Sequence, residues 1–196
     1  ELAGIPTGRI SPDAVPGKAN RFLANRANVI YAQWQIARQS FPASANVKIT
    51  GCPIRSAFRE ASREAGIARF GLDPYRKTLL VTGASQGART INDSILALLG
   101  QFRAFEDRWQ ILHLAGTKNE PEVASAYTRQ GISAKVLGYT DHMAEAMVAC
   151  DLIIGRAGAS FLAEVTGMGK PSILMPYPFH RDNHQEQNAL VLVRNG

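Results

Sequence analysis

Three stretches of the chain concentrate residue types that can hold phosphate and sugar. The first, Thr82-Gly83-Ala84-Ser85-Gln86-Gly87-Ala88-Arg89, follows an apolar run and opens an amphipathic one. Glycines there let the backbone approach a phosphate, and unpaired N–H groups at a helix start favour an anion. The glycine spacing is not the G-x-G-x-x-G of dinucleotide sites. Ser85 would also serve as a plain helix cap, so the turn alone leaves phosphate binding and a tight bend both open.

The second stretch, Gly155-Arg156-Ala157-Gly158-Ala159-Ser160, leads into a helix that carries Glu164. A carboxylate so placed can accept hydrogen bonds from both hydroxyls of a ribose while the N–H groups before it meet phosphate. Acidic residues also favour helix starts for their own sake, so here too the residues do not decide. The third, 176–189, packs polar groups after an apolar run, and the Gln185 amide can donate to and accept from sugar hydroxyls at once. As structure alone it would be a polar loop and a capped helix.

Other chemistries find less support. His180 and His184 stand four apart with no third metal ligand evident, and His113 lies in an apolar run where a satisfied core histidine is expected. Cys52 and Cys150 have no histidine at metal-ligand spacing, so neither zinc nor a disulfide framework is expected, and a reducing cytoplasmic compartment fits. No D-x-D pair is present, so a carboxylate-held metal clamp on a diphosphate is not expected. No metal or other cofactor is expected at all.

These turns need strands and helices to aim them. From residue 78 onward the pattern alternates: strand 78–82, helix 88–99, strand 110–114, helix 120–129, strand 134–137, helix 141–149, strand 151–154, helix 160–168, strand 172–175, and a last helix from 183. Short apolar strands alternating with amphipathic helices predict a doubly wound α/β domain, a Rossmann-like parallel sheet covered on both faces. Ligands of such a sheet lie at the carboxyl ends of its strands, where the strand order reverses. Upstream, Pro6, Gly8, Pro12, Pro16 and Gly17 read as loop, 18–27 as a helix, and 29–32 and 47–50 as short strands, with no complete fold in the first ~50 residues. The charges of 59–77 alternate in sign and read as solvated surface. We expect a fragment, cut at both ends.

Composition agrees with a soluble globular protein: 45% hydrophobic and 19% charged residues over 196 positions. No apolar run approaches the ~20 residues of a membrane span, and Glu1-Leu2-Ala3-Gly4 does not open a secretory leader. The formal charge of +6 comes from scattered basic residues, so no nucleic acid partner is expected.

Taken in order and spacing, five segments resemble the MurG family: 79–89, Gly51-Cys52-Pro53-Ile54-Arg55, Gly138-Tyr139-Thr140-Asp141-His142-Met143, Arg156-Ala157-Gly158-Ala159, and 182–189. Asn20-Arg21 after Val15-Pro16-Gly17 extends the resemblance over nearly the whole chain. It implies a two-domain GT-B glycosyltransferase of peptidoglycan synthesis. Residues 1–50 would be a remnant of the N-terminal acceptor domain with its linker, and 51–196 the C-terminal UDP-GlcNAc-binding domain. The resemblance places Arg55 and Ser85 toward the diphosphate, Gln86 among the UDP-GlcNAc-binding residues, Thr140 by the uracil, the backbone of Ala159, Ser160 and Phe161 along the nucleotide, Glu164 on the ribose, and His184 and Gln185 on the GlcNAc. Ser11-Pro12-Asp13 replaces the family's Glu-Gln-Asn, so its asparagine's sugar contact falls to Asp13.

The reaction so implied is an inverting transfer of GlcNAc from UDP-GlcNAc to lipid I, the undecaprenyl-pyrophosphoryl-MurNAc-pentapeptide, by an enzyme peripheral on the cytoplasmic face of the inner membrane. The membrane contact and the catalytic base would belong to the absent N-terminal domain, so the fragment alone is expected to transfer nothing. A GT-B enzyme with another acceptor, a silent nucleotide-sugar-binding module and a dinucleotide-dependent oxidoreductase are the rival readings.

Overall fold

The computed structural model describes residues 4–83, 87–179 and 182–195. The chain forms two compact units, and each takes more than one stretch of sequence. The first gathers Glu1–Ile54, Ala157–Glu164 and Pro176–Gly196, and the second Arg55–Arg156 and Val165–Met175. The expected division at 50/51 is a single cut, whereas the observed grouping returns residues 157–164 and 176–196 to the first unit.

In the first unit, β1 (Gly8–Ser11), β2 (Val29–Ala32) and β3 (Val47–Ile49) make a parallel sheet in that order, with Gly8 opposite Val29 and Ile30 opposite Val47. The expected loop through Gly17 is therefore partly strand. Pro6 and Pro12 flank the four residues of β1 rather than interrupt them, which a parallel ladder tolerates. The helix expected over 18–27 is α1 (Lys18–Phe22) followed by a 3-10 turn, Ala24–Arg26. No residue of α1 is buried and its cap supplies no side-chain hydrogen bond, so little beyond weak propensity sustains it. Ala24, Ile30, Ala32, Ala37, Phe41 and Val47 form this unit's core.

The second unit opens with two helices that the charge pattern concealed, α2 (Ala57–Glu60) and α3 (Arg63–Phe70). α3 buries only Gly66 and Phe70, too few positions to announce a helical period. Its ends are nonetheless well made: Ser62 Oγ accepts from Ala65 N, and Gly71 closes it with φ +63°. β4 (Lys77–Thr82), α4 (Arg89–Ala97), α5 (Leu99–Phe102), β5 (Trp109–Leu114), α6 (Glu120–Gln130), β6 (Ala134–Leu137), α7 (Met143–Ala149), β7 (Leu152–Gly155), α8 (Ala159–Gly167), whose residues up to Glu164 group with the first unit, and β8 (Ser172–Leu174) follow in chain order. All five strands are parallel, in the order β6-β5-β4-β7-β8.

Alternate strand residues serve opposite faces. Leu79, Val81 and Ile111 pack with Ile91 and Ile95 of α4 and Val123 and Tyr127 of α6. Leu80, Leu112 and Ile153, of the other parity, are equally buried, and α7 contacts β4. Lys170 Nζ donates to the carbonyls of Val148 and Cys150 at the end of α7, a cation at the negative pole of a helix. The strand order reverses between β4 and β7, which makes the carboxyl ends of those strands the switch point of the sheet. The last helix, α9 (His184–Asn195), belongs to the first unit.

Candidate functional site

At the switch point β4 ends on Thr82, whose hydroxyl is buried without a hydrogen-bond partner among the described residues. A Cβ on Gly83 would lie 2.0 Å from Ala88 N, and one on Gly87, where φ is +71°, would lie 2.2 Å from Ala115 O. Only glycine fits either place. The turn delivers the chain into α4, whose N-cap, Ala88, offers no side-chain acceptor to the first N–H groups. A helix start left in that state is suited to an anion. Ser85 and Gln86 lie outside the described residues.

Arg156 directly follows β7. Its Nη1 donates to Met175 O at 2.9 Å, just beyond β8, and its Nη2 donates to Thr90 Oγ1 in the first turn of α4. The guanidinium of the residue after β7 thus joins the end of β8 to the first turn of α4. Sequence reasoning assigns this side chain no contact. Its signal is its place, immediately after the strand across the switch point from the glycine turn.

Arg55 lies with its guanidinium 5.2 Å from the centre of the Phe58 ring. It lines a polar cleft of about 220 Å³ with Glu60, Asp141, His142 and Glu145, so the second unit brings Arg55 to the segment after β6 that holds Thr140. Thr140 Oγ1 accepts from His142 N at 3.1 Å, and Tyr139 donates its hydroxyl to Asp141. That hydrogen bond holds the Tyr139 phenol above its usual pKa, with the charge of Arg55 working the other way. Glu145 is paired with Arg69 and lies 3.3 Å from His142, and its hydrogen bond to Arg69 keeps its carboxyl below the usual range.

The remaining expected ligands belong to the first unit. Ala159 is buried at the start of α8, Ser160 exposed, Phe161 half-buried, and Glu164 half-buried one turn further on. Glu164 stands near Cys52, whose thiol is raised first by burial and then by that carboxylate. His184 Nδ1 pairs with Asp182 at 2.8 Å, an arrangement that lowers the pKa of Asp182 through that hydrogen bond. Gln185 Oε1 accepts from Tyr177 N at 2.9 Å, so half of this amide supports the loop after β8. Asp13 Oδ1 accepts from Asn188 Nδ2 at 2.9 Å, and Asn188 Oδ1 accepts from Ala14 N at 2.7 Å. Asp13 is thus engaged by a fully buried asparagine 175 positions away, a partnership that no local pattern reveals.

The other candidates resolve as structure. His113 is fully buried and bonded at both ring nitrogens, as expected of a core histidine. His180 lies outside the described residues. Cys52 and Cys150 are free thiols, and burial pushes Cys150 up to about 12. Among the described residues no group of three or more His, Cys, Asp or Glu is placed to hold a metal ion. No helix among them is long and apolar enough to cross a membrane.

Comparison with known proteins gives this arrangement a family. The family model described as the glycosyltransferase family 28 C-terminal domain matches residues 78–196. The chain is 39% identical, over its whole length, to a UDP-N-acetylglucosamine--N-acetylmuramyl-(pentapeptide) pyrophosphoryl-undecaprenol N-acetylglucosamine transferase of Halothermothrix orenii, covering 54% of that protein. It is 37% identical to a Desulforamulus reducens protein of the same name, over 98% of this chain and 53% of the relative. Among solved structures, Acinetobacter baumannii MurG superimposes on all of the chain with a TM-score of 0.76 and 28% identity, 52% of that protein being covered. The chain spans about half the length of the curated relatives it matches. A doubly wound sheet with a glycine turn at its switch point, matched by the family model from β4 to the last residue, shows that the chain belongs to glycosyltransferase family 28 and carries its C-terminal domain.

Proposed function

We propose that this chain holds UDP-GlcNAc for an enzyme that transfers GlcNAc to lipid I, the undecaprenyl-pyrophosphoryl-MurNAc-pentapeptide, forming lipid II and releasing UDP. The observation that carries the reading is the similarity, over this chain and about half the length of each relative, to transferases named for that donor and that acceptor. The roles follow from what each group offers. Arg55, Ser85, Gln86 and the N–H groups opening α4 receive the diphosphate and stabilise the charge that grows on UDP as it departs, without a metal or other cofactor. Thr140 meets the uracil, the backbone of Ala159, Ser160 and Phe161 the nucleotide, and Glu164 the ribose hydroxyls. His184 and Gln185 meet the sugar. With Oε1 engaged by Tyr177 N, the Gln185 amide has its Nε2 donors to offer GlcNAc, and Asp13, held by Asn188, takes no sugar. The acceptor is lipid-linked, so the enzyme works as a peripheral protein on the cytoplasmic face of the inner membrane.

Gln185→Ala tests the sugar assignment. Affinity for UDP-GlcNAc should fall about tenfold while affinity for UDP stays within about twofold, because UDP has no sugar to contact. Equal losses for the two ligands, read by calorimetry, would reduce Gln185 to a support of the Tyr177 loop.

A further inference from the structure

His113 stands on β5 among the apolar side chains that α4 and α6 pack against the sheet, with no exposed surface. A leucine would fill that space without burying polar atoms, which is costly unless each finds a partner. Here every partner is found, and the chemistry allows only one direction. The carbonyl of Ala115 can only accept, so the Asn92 group 2.9 Å from it is the Nδ2 donor. That orientation turns Asn92 Oδ1, also an acceptor only, toward His113 Nε2 at 3.1 Å, so Nε2 carries the proton. His113 Nδ1 then presents a lone pair and accepts from the Tyr127 hydroxyl at 3.0 Å. Three hydrogen bonds run one way, from α6 through β5 and α4 to the Ala115 carbonyl. Burial lowers His113 to about 4 and raises Tyr127, which keeps both links neutral at ordinary pH.

The end point of the relay is also the support of the glycine turn. Ala115 O accepts a second amide, Asn119 Nδ2, at 3.2 Å. It faces Gly87 so closely that a Cβ there would lie 2.2 Å away. A carbonyl held by two amides is the wall against which the turn at Gly87 rests, and Asn92 itself sits in the first turn of α4, which that turn opens.

We propose that His113 is a positioning residue for the diphosphate turn: its neutral Nε2–H tautomer, acting through Asn92 and the Ala115 carbonyl, sets the placement of Gly87 and the start of α4. The inference rests on the reading of that turn as the diphosphate site of a nucleotide sugar. Burial alone would ask only for an apolar side chain, whereas the relay asks for a donor directed at Asn92.

Long-range proton–nitrogen correlation spectra of the wild-type chain at neutral pH should show His113 protonated at Nε2 and bare at Nδ1. The opposite tautomer would overturn the relay without any variant. His113→Leu should weaken UDP about tenfold and leave uridine, which lacks the diphosphate, unchanged. His113→Gln, whose amide N–H takes the place of Nε2–H, should keep UDP within about threefold of wild type. Proportional losses for UDP and uridine, or a glutamine variant as weak as a folded leucine variant, would overturn the proposal. If the leucine variant does not fold, the tautomer and the glutamine variant decide. A wild-type chain with the expected tautomer that binds no UDP would instead overturn the diphosphate reading.

Discussion

The two ends of the β4–β8 sheet are built from the same strands and differ in nearly everything else. At the amino end Leu79, Leu152 and Trp109 combine with Leu98, Gln101, Phe102 and Phe105 around an apolar hollow of about 320 Å³. The polar groups nearby are matched to one another: Asp151 accepts from Thr78 N and Arg63, and Lys77 lies over Trp109. At the carboxyl end side chains give way to backbone. Gly83 and Gly87 bend the chain where no Cβ fits, Ala88 leaves the start of α4 without a side-chain cap, and Arg156 draws three segments together. Parallel strands explain the contrast, because every helix that follows a strand begins at the carboxyl end and presents its N–H groups there. One end is closed by packed side chains, and the other presents the glycine turn and the start of α4, where the proposed diphosphate would lie.

The largest effect that would break this contrast is expected at Gly87. Alanine there meets both a φ of +71° and the Ala115 carbonyl, a combination worth roughly 3 kcal/mol or more. UDP affinity should fall by at least about a hundredfold and the denaturant midpoint should drop. Unchanged UDP binding in a folded variant would take the turn out of the site.

Acid should loosen the same end through His113. Its folded pKa is lowered to about 4 from 6.5 by burial, so below pH 6.5 the unfolded chain takes up a proton that the folded chain refuses. Stability is therefore complete above about pH 6.5 and is lost as pH falls toward 4, by up to about 3 kcal/mol. Urea melts across that range should show the slope, and His113→Gln should flatten it. Parallel slopes in the two proteins would contradict the assignment.

Glu164→Ala should weaken UDP about ten- to a hundredfold, the worth of a charge-assisted hydrogen bond of roughly 1.5 to 3 kcal/mol, with the fold kept. An unchanged dissociation constant would return Glu164 to an ordinary helix carboxylate. The smallest effect belongs to the amino end: Leu98→Ser, at a side chain 45% exposed, should leave UDP affinity within about twofold. A larger loss would mean that the two ends are not functionally distinct.

What could be read from the residues follows the same physics. The five strands of the second sheet are near-continuous apolar runs because helices cover both faces, and such runs show in any window. β1 escaped because a short stretch between Pro6 and Pro12 looks like loop until its partner strand is known. α3 escaped because its buried face is one glycine and one phenylalanine. At the site, the glycine turn and Glu164 stood out by residue type, but the residues left their roles open and only the family resemblance assigned them. The division of the Gln185 amide, the Asn188–Asp13 pair and the bridging of Arg156 depend on contacts between distant segments, and no spacing encodes them.

The central claim is that the carboxyl-end turns hold a uridine nucleotide, and calorimetric titration of the wild-type chain with UDP, UDP-GlcNAc and NADH tests it directly. The account predicts saturable one-to-one binding of UDP and UDP-GlcNAc and no binding of NADH. Saturable NADH binding with no heat from UDP would contradict it.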